Sequence, residues 1–463
     1  MPLVAGVDSS TSACKVEVRD ADTGQLVSSG RASHPPTTPP RSEQHPHDWW
    51  AAFEAAAAQA ELFGANRPAA IAIAGQQHGL VALDAAGQVL RPAKLWNDTE
   101  SADDAAALVR SLGAPQWAAA CGSVPVASFT ITKLAWLKRH EPDVFDRIAH
   151  VLLPHDYLTH RLTGAFTTDR GDASGTGWWS PAEGRYRTDL LALVDPTRSW
   201  DEVLARVLGP TEPAGEWNGI VVAPGTGDNM AAALGLAMRP GDLALSLGTS
   251  GTAFSVSAAP TADPTGAVAS FADATGRFLP LVCTLNATKV TDAVARLLGI
   301  DVADLDDLVL TAPPGAGGMV VVPWFDGERT PDRPDATGLV AGLRSDATRG
   351  QLARASVEGV VCNLLAAADH LPATSGTVYL AGGGARSRAY RQVVADLVGR
   401  PVAVPADSEL VARGAAIQAA AVLASVSIDT VTSAWAAPAG VSVEPTPGVD
   451  GASIRAAHAS VLR

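Results

Sequence analysis

The sequence predicts an α/β protein built from two domains, and three observations lead there. A chain of 463 residues is too long for one core and suits two domains of about 200 residues each. Short apolar runs of strand character alternate with Ala-rich stretches of helical period along most of its length. A strand–turn–strand signature with a turn rich in Ser, Thr and Gly occurs twice, at the N-terminus and just after Arg239-Pro240-Gly241. Those breaker residues put the boundary near 236–240 and give domains over 1–238 and 239–463.

The elements follow in order. "PLVAGVDSSTSACKVEVRDADTGQLVSSG" reads as two strands joined by "DSSTSA", with a second turn at "DADTG". A proline-rich loop (Pro35, Pro36, Pro39, Pro40) precedes an Ala-rich helix from about Asp48 to Phe63. "AAIAIAG", Ala69 to Gly75, is short and apolar enough for a buried strand, and "LVALDAAGQVL" looks like its hairpin partner. From Ser101 to Gly164 the pattern is mostly helical, whereas "TDRGDASGTGWWS", Thr168 to Ser180, reads as loop. The strand "GIVVAP" leads into "GTGDNMAAALG", a Gly-rich turn opening an Ala-rich helix.

The second cycle begins with "GDLALSLGTSGTAFSVS", again strand, tight turn, strand. The strand "GGMVVVPWF", a long helix from about Thr348 to His370, the strand "TVYLAGGG", a helix, the strand "PVAVP" and an Ala-rich helix come after it. The stretch "WAAPAGVSVEPTPGVDG" reads as a Pro/Gly-rich arm lying over the surface.

Composition narrows the function. A net charge of −14 with no dense Lys/Arg block argues against nucleic acid or an anionic membrane as partner. Cys14, Cys121, Cys283 and Cys362 show no ligand spacing and read as reduced, buried thiols. "MPLVAGVDSS" lacks the basic and apolar regions of a signal peptide. The longest apolar run, Gly414 to Ile428, falls short of the roughly 20 residues a membrane span needs. The expectation is a soluble, cytoplasmic protein.

The two turns share one chemistry. "DSSTSA" and "LGTSGT" can point backbone N–H groups and hydroxyls into one concavity, which suits an anion such as phosphate. Either turn alone reads better as an exposed hairpin turn; it is their recurrence, one at the start of each half, that favours phosphate. Neither is a Walker P-loop. "LAGGGARS", Leu380 to Ser387, follows a strand and opens a helix, so its glycines allow close approach of a ligand without matching a dinucleotide fingerprint. Asp8 beside a phosphate turn would repel phosphate unless a cation such as Mg²⁺ stood between them. Asp228, in the turn before its helix, is either a helix cap or a catalyst.

Taken together, "DSSTSACK", "AGQQHGL", "LWNDTES", "LPHDYLTHRLTG", "TDRGDASGTGWW", "GTGDNMAAALG", "LSLGTSGT", "PWFDGERTP" and "LAGGGARSRAYRQVVADLVGRPV" resemble, in order, the FGGY family of carbohydrate kinases, from about residue 3 to 425. The resemblance is greatest to members acting on D-xylulose. It implies the actin-like, ribonuclease-H-like ATPase fold, two α/β domains with a cleft between them for ATP and sugar. The implied reaction moves the ATP γ-phosphate to a sugar hydroxyl, turning D-xylulose into D-xylulose 5-phosphate. Asp228 matches the catalytic base and Asp8 the carboxylate that organises Mg²⁺, through water. Thr11 and Ser12 would face the γ-phosphate, with Gly248, Thr249 and Ser250 as the second phosphate loop. Gly382, Gly383, Gly384 and Ser387 would line the nucleoside side. Gln77 and His78 correspond to the sugar-binding pair, with Trp96, Asp98 and Asn229 as further pocket residues. The remaining histidines, His45 and His47 among them, read as surface residues.

Two departures from the family pattern stand out: Ser10 where many members have Gly, and Gln77 where Met is frequent among D-xylulose-acting members. The second keeps open a kinase for another ketose or polyol, such as ribulose, a fructose-like sugar or arabitol. A non-kinase actin-like ATPase is the reading from another class, opposed by the sugar-pocket blocks. A small-molecule sugar is the expected partner, with a homodimer the commonest assembly for a cytosolic enzyme.

Overall fold

The computed structural model describes residues 2–406, 409–435 and 440–462. The chain folds into one compact unit of 1–238, 258–279 and 409–437, and another of 239–257, 280–408 and 438–463. The break between Met238 and Arg239 lies where the breaker residues fall. The units are not contiguous halves, however, because two later segments return to the first unit. The second of these carries the Ala-rich helix Leu410–Ala424, which finds its apolar neighbours there.

Each unit is built on a sheet with the same pairing pattern. In the first, Leu26–Ser33 pairs antiparallel with Ala13–Asp20, which pairs antiparallel with Leu3–Ser9. Leu3–Ser9 runs parallel to Ala70–Gly75, which runs parallel to Ile220–Val222. Gly215–Trp217 closes that edge antiparallel. In the second, Phe278–Thr284, Gly251–Ser255 and Leu243–Leu247 are antiparallel in turn. Val378–Ala381 and Val402–Pro405 follow parallel, and Gly440–Val443 closes antiparallel. Three antiparallel strands followed by two parallel crossovers, twice over, is the actin-like, ribonuclease-H-like ATPase fold.

Burial explains the strand choices. Every residue of Ala70–Gly75 is buried, as expected for an apolar run covered on both faces. Leu26–Ser33 alternates instead, with one side facing solvent. Three expectations change. Val81–Leu83 pairs with His150–Leu152 in a small separate sheet rather than with Ala70–Gly75. The stretch read as loop contains the strand Thr167–Asp169, a short helix Arg170–Ala173 and the strand Trp179–Ser180, and it is almost wholly buried. Its Gly, Ser and Asp residues signal turns locally, but tertiary contacts decide its burial. Part of the C-terminal arm, 436–439, lies outside the described residues. The rest supplies an edge strand and is followed by the helix Gly451–Ser460.

Cys14, Cys121 and Cys362 are buried free thiols, while Cys283 is half-buried. Burial pushes the Cys121 and Cys362 thiols up to about 12, so both stay protonated and inert. Among the described residues no single helix is long and apolar enough to cross a membrane.

The first unit is held by one close crossing. The helix Leu410–Ala424 lies against the helix Asp228–Gly235 and the strand Leu3–Ser9. A Cβ at Gly414 would sit 1.8 Å from Ala231 O, one at Gly235 2.0 Å from Leu410 O, and one at Gly6 1.9 Å from Ala412 O. All three neighbours are backbone atoms, so nothing flexible can give way. Gly414→Ala should therefore lower the melting temperature by about 5–10 °C, the consequence of overpacking worth about 3 kcal/mol. A thermal melt superimposing on that of the parent protein would refute this packing.

Candidate active site

The first phosphate-like turn is closed by the pair Ser9–Cys14, and one step back Asp8 faces Lys15 across the hairpin. Lys15 Nζ lies 3.2 Å from Asp8 Oδ2 and 2.7 Å from Glu409 Oε2. The Ser10 hydroxyl donates to Asp8 Oδ1, so the residue that departs from the family pattern adds a donor to this carboxylate. Burial raises the pKa of Asp8, with Lys15 and Ser10 opposing it. For Lys15 burial acts downward, but the Asp8 and Glu409 carboxylates outweigh it and the net shift is upward. Lys15 is a charged partner of Asp8 that motif reading missed. Its signal is its position seven residues after Asp8, opposite it in any tight hairpin.

The Thr11 hydroxyl donates to Gln76 Oε1 at 3.1 Å and accepts from Trp96 Nε1 at 2.9 Å. Its proton is thus spent within the protein, and only its backbone N–H remains to meet a phosphate. Ser12 is exposed. Trp96 is 41% exposed, so its ring faces outward while its indole N–H is anchored to the phosphate turn.

Asp228 begins its helix; the N-cap is Gly227, which has no side chain to cap with. Asp228 Oδ1 accepts from Asn229 N–H at 2.8 Å and from Asn229 Nδ2 at 3.1 Å. Oδ2 takes neither bond. Burial, then the charges of Asp8 and Asp172, push the Asp228 pKa up to about 7. A carboxylate at the edge of ionisation in neutral solution is suited to taking up a proton.

Asn229 Nδ2 also donates to Gln77 Oε1 at 2.8 Å. Gln77 is only 4% exposed, and its Nε2 is buried with no hydrogen-bond partner among the described residues. His78 sits beside it at φ 66°, a conformation rare for a side-chain-bearing residue. Its ring stacks on Phe129 and packs against Phe271. Nδ1 lies 2.8 Å from Gly175 O, which places the proton on Nδ1 and makes Nε2 an acceptor. A Cβ at Gly175 would lie 2.5 Å from His78 Cε1, so this ring position requires glycine.

Asp98 is corrected by the structure. It is fully buried, and its carboxylate accepts from Ser42 N–H, Glu100 N–H and Lys94 Nζ. Lys94 also pairs with Glu43 and Glu100. The ammonium thus sits among the three acids, where a metal would otherwise go. This cluster supports the chain under Trp96 instead of meeting a sugar.

The histidine reading is corrected too: His34, His155 and His458 are buried. His155, at the start of the helix Pro154–Thr163, places Nδ1 2.8 Å from Asp172 Oδ2 and Nε2 3.1 Å from Asp156 Oδ1. Burial disfavours its charge, but Asp156, Asp172 and Asp169 reverse that and raise its pKa. Three acids from two motif blocks compensate this ring, and no local pattern in the sequence announces it.

In the second unit the hairpin turn Gly248–Ser250 is closed by Gly248 N–H to Ser250 O. The carbonyls of Gly248 and Thr249 accept from Thr288 and Ala287 at the start of the helix Thr288–Leu298. Thr249 is exposed. Gly382, at φ 82°, and Gly384 pack on Leu247, while a Cβ at Gly383 would meet nothing within 4 Å. The turn Gly248–Ser250 and the glycines Gly382–Gly384 therefore lie together. Ser387 does not join them as a free hydroxyl: it donates to Asp306 and caps the helix Arg388–Val398 through Tyr390 N–H.

The chain matches the N-terminal domain of the FGGY family of carbohydrate kinases over residues 3–235 and its C-terminal domain over 243–423. It is 49% identical to a xylulose kinase of Streptomyces coelicolor, covering 95% of this chain and 92% of that protein. It is 48% identical to one of Streptomyces rubiginosus, covering 96% and 92%. The solved structure of xylulose kinase from Bifidobacterium adolescentis superposes with a TM-score of 0.89 at 41% identity, covering 100% of this chain and 99% of that one. The chain belongs to the FGGY family of carbohydrate kinases, enzymes that transfer a phosphoryl group to a sugar alcohol.

Proposed function

We propose that this enzyme phosphorylates D-xylulose to D-xylulose 5-phosphate at the expense of ATP, with Asp228 as general base. The observation carrying the mechanism is the Asp228 carboxylate, half-buried, with its Oδ1 tied to Asn229 and its pKa near neutrality. Asp228 Oδ2 takes the proton from the acceptor hydroxyl as that oxygen bonds to the γ-phosphorus, and the bond from phosphorus to the β,γ-bridging oxygen breaks to release ADP. The substrate reading rests on relatives named xylulose kinase at close to half identity over nearly the whole chain.

The first unit supplies the sugar contacts, from His78 Nε2, Asn229 and the Trp96 ring. The groups we assign to ATP are, in the first unit, the backbone N–H groups at Thr11 and Ser12 and, in the second, those of the Gly248–Ser250 turn with the open face of Gly383 for the nucleoside. Lys15, already balancing Asp8, adds a cation for phosphate. Asp8 offers the hard oxygen that Mg²⁺ prefers, and its bonds to Ser10 and Lys15 favour contact through water. Asp8 would hold Mg²⁺ there, and the ion when bound would supply positive charge to offset that of the phosphates. A homodimer and a cytoplasmic location complete the reading.

A coupled ADP-release assay with MgATP over D-xylulose, D-ribulose, L-ribulose, L-xylulose, D-fructose, xylitol, arabitol and glycerol should give its highest kcat/KM with D-xylulose. A clear preference for another sugar would replace the substrate while keeping the chemistry. Asp228→Ala should lower kcat by about 10²–10⁴-fold while D-xylulose still binds in calorimetry; a near-normal kcat would remove Asp228 from the mechanism. Because the base must be ionised and its pKa is raised to about 7, kcat/KM should fall about tenfold per pH unit below 7 and level off above it. A profile flat from pH 5.5 to 8 would contradict this.

A further inference from the structure

Behind the proposed base the protein buries a line of polar side chains that the reaction itself does not touch. His155 Nδ1 lies 2.8 Å from Asp172 Oδ2, and both side chains are fully buried. Asp172 Oδ1 is buried without a hydrogen-bond partner among the described residues, as is Gln77 Nε2. The Gln77 side chain lies near enough to Asp172 to favour its charged form, and its buried amide nitrogen is the donor it has to offer that carboxylate. On its other side Gln77 Oε1 accepts from Asn229 Nδ2 at 2.8 Å, and the same nitrogen donates to Asp228 Oδ1 at 3.1 Å.

The backbone makes room for this line. A Cβ at Gly225 would lie 2.7 Å from His155 Cδ2, and one at Gly227 2.7 Å from Gln77 Cγ. Gly171, whose Cβ would lie 2.8 Å from Asp169 Oδ2, leaves space for the acid that helps to balance His155. Charge explains why the line holds one direction. His155 lies among the carboxylates of Asp172, Asp156 and Asp169, which raise its pKa, and its Nδ1 at 2.8 Å from Asp172 Oδ2 uses that carboxylate as an acceptor. An acceptor at Asp172 turns the Gln77 amide nitrogen inward and its oxygen outward. That oxygen orients the Asn229 amide, which then donates to the base.

We propose that His155, Asp172 and Gln77 are positioning residues, a buried relay that fixes Asn229 and through it the direction in which Asp228 presents Oδ2. This rests on the reading of Asp228 as general base. It changes the part played by Gln77: with one amide atom given to Asn229 and the other buried, Gln77 orders the site and does not read the sugar.

The test separates the two parts for Gln77. Gln77→Met keeps the volume and removes both amide groups. The relay predicts kcat for D-xylulose lowered about tenfold, the rate equivalent of one hydrogen bond of about 1.4 kcal/mol, with KM and the calorimetric Kd for the sugar within twofold. Asp172→Asn and Gln77→Glu should each lower kcat similarly. The double variant Gln77→Glu with Asp172→Asn, which exchanges donor and acceptor at that link and preserves the charge, should recover at least half of the loss on the logarithmic scale. A KM and Kd raised tenfold in Gln77→Met with kcat intact would make Gln77 a sugar contact and overturn the relay, as would a double variant no better than the worse single one. Thermal melts identify any variant that fails to fold, in which case Gln77→Met, the least disruptive, decides. If the parent enzyme itself shows no sugar-dependent ADP release, the kinase reading fails instead, an outcome visible before any variant is made.

Discussion

The close crossing of the helix Leu410–Ala424 over the helix Asp228–Gly235 is the constraint on which the first unit's site depends. At Gly414 and Gly235 the two helices meet backbone to backbone, and at Gly6 the same helix meets the strand that ends in Asp8 and Ser9. One rigid element thus fixes both the strand carrying Asp8 and the helix carrying Asp228. Side chains at the contact would have spread these elements apart, and with them the carboxylates that the proposed mechanism brings together. The Ala-rich composition of that helix follows from this duty. It is nearly all buried, and small residues are what close helix packing admits.

Bringing carboxylates together has an electrostatic consequence. The charges of Asp8 and Asp172 both act on Asp228, and all three groups are desolvated. The protein answers with one cation behind each of the other two, Lys15 for Asp8 and His155 for Asp172. Asp228 alone has no cation paired with it among the described residues. Its raised pKa is thus left without an opposing cation, a property that suits the proposed general base. Pairing two acids with cations and leaving the third to neutral donors from Asn229 sorts three chemically identical groups into different roles.

Much of this was legible in the chain. The two Ser/Thr/Gly turns, the breaker at Arg239-Pro240-Gly241 and the acid before an Ala-rich helix are local signals, and each stands in the structure where local physics puts it. Non-local relations were not legible. The return of 409–437 to the first unit cannot be read from an apolar helix, which would bury equally well in either core. Asp98 has the look of a pocket acid because "LWND" says nothing of Lys94 beneath it. Buried His155 is invisible in the sequence because its three acids come from two separated segments. Ser387 stands among glycines that suggest a ligand, yet its hydroxyl serves the helix it caps.

The duplicated sheet sharpens the contrast between the two turns. One step back from the closing pair, the first hairpin sets Asp8 against Lys15, whereas the second sets Ser246 against Thr252. The backbone is the same device in both places, and only the cross-strand pair differs. A neutral pair lets an anion approach the turn amides directly, held by N–H dipoles alone. An acid–base pair does something else: it repels a bare anion through Asp8, attracts it through Lys15, and so favours an anion accompanied by a divalent cation. Two copies of one hairpin thereby differ in the charge they present beside the turn, an ion pair in one and a neutral pair in the other. That division needs no new architecture, only the replacement of two side chains that face each other across a turn.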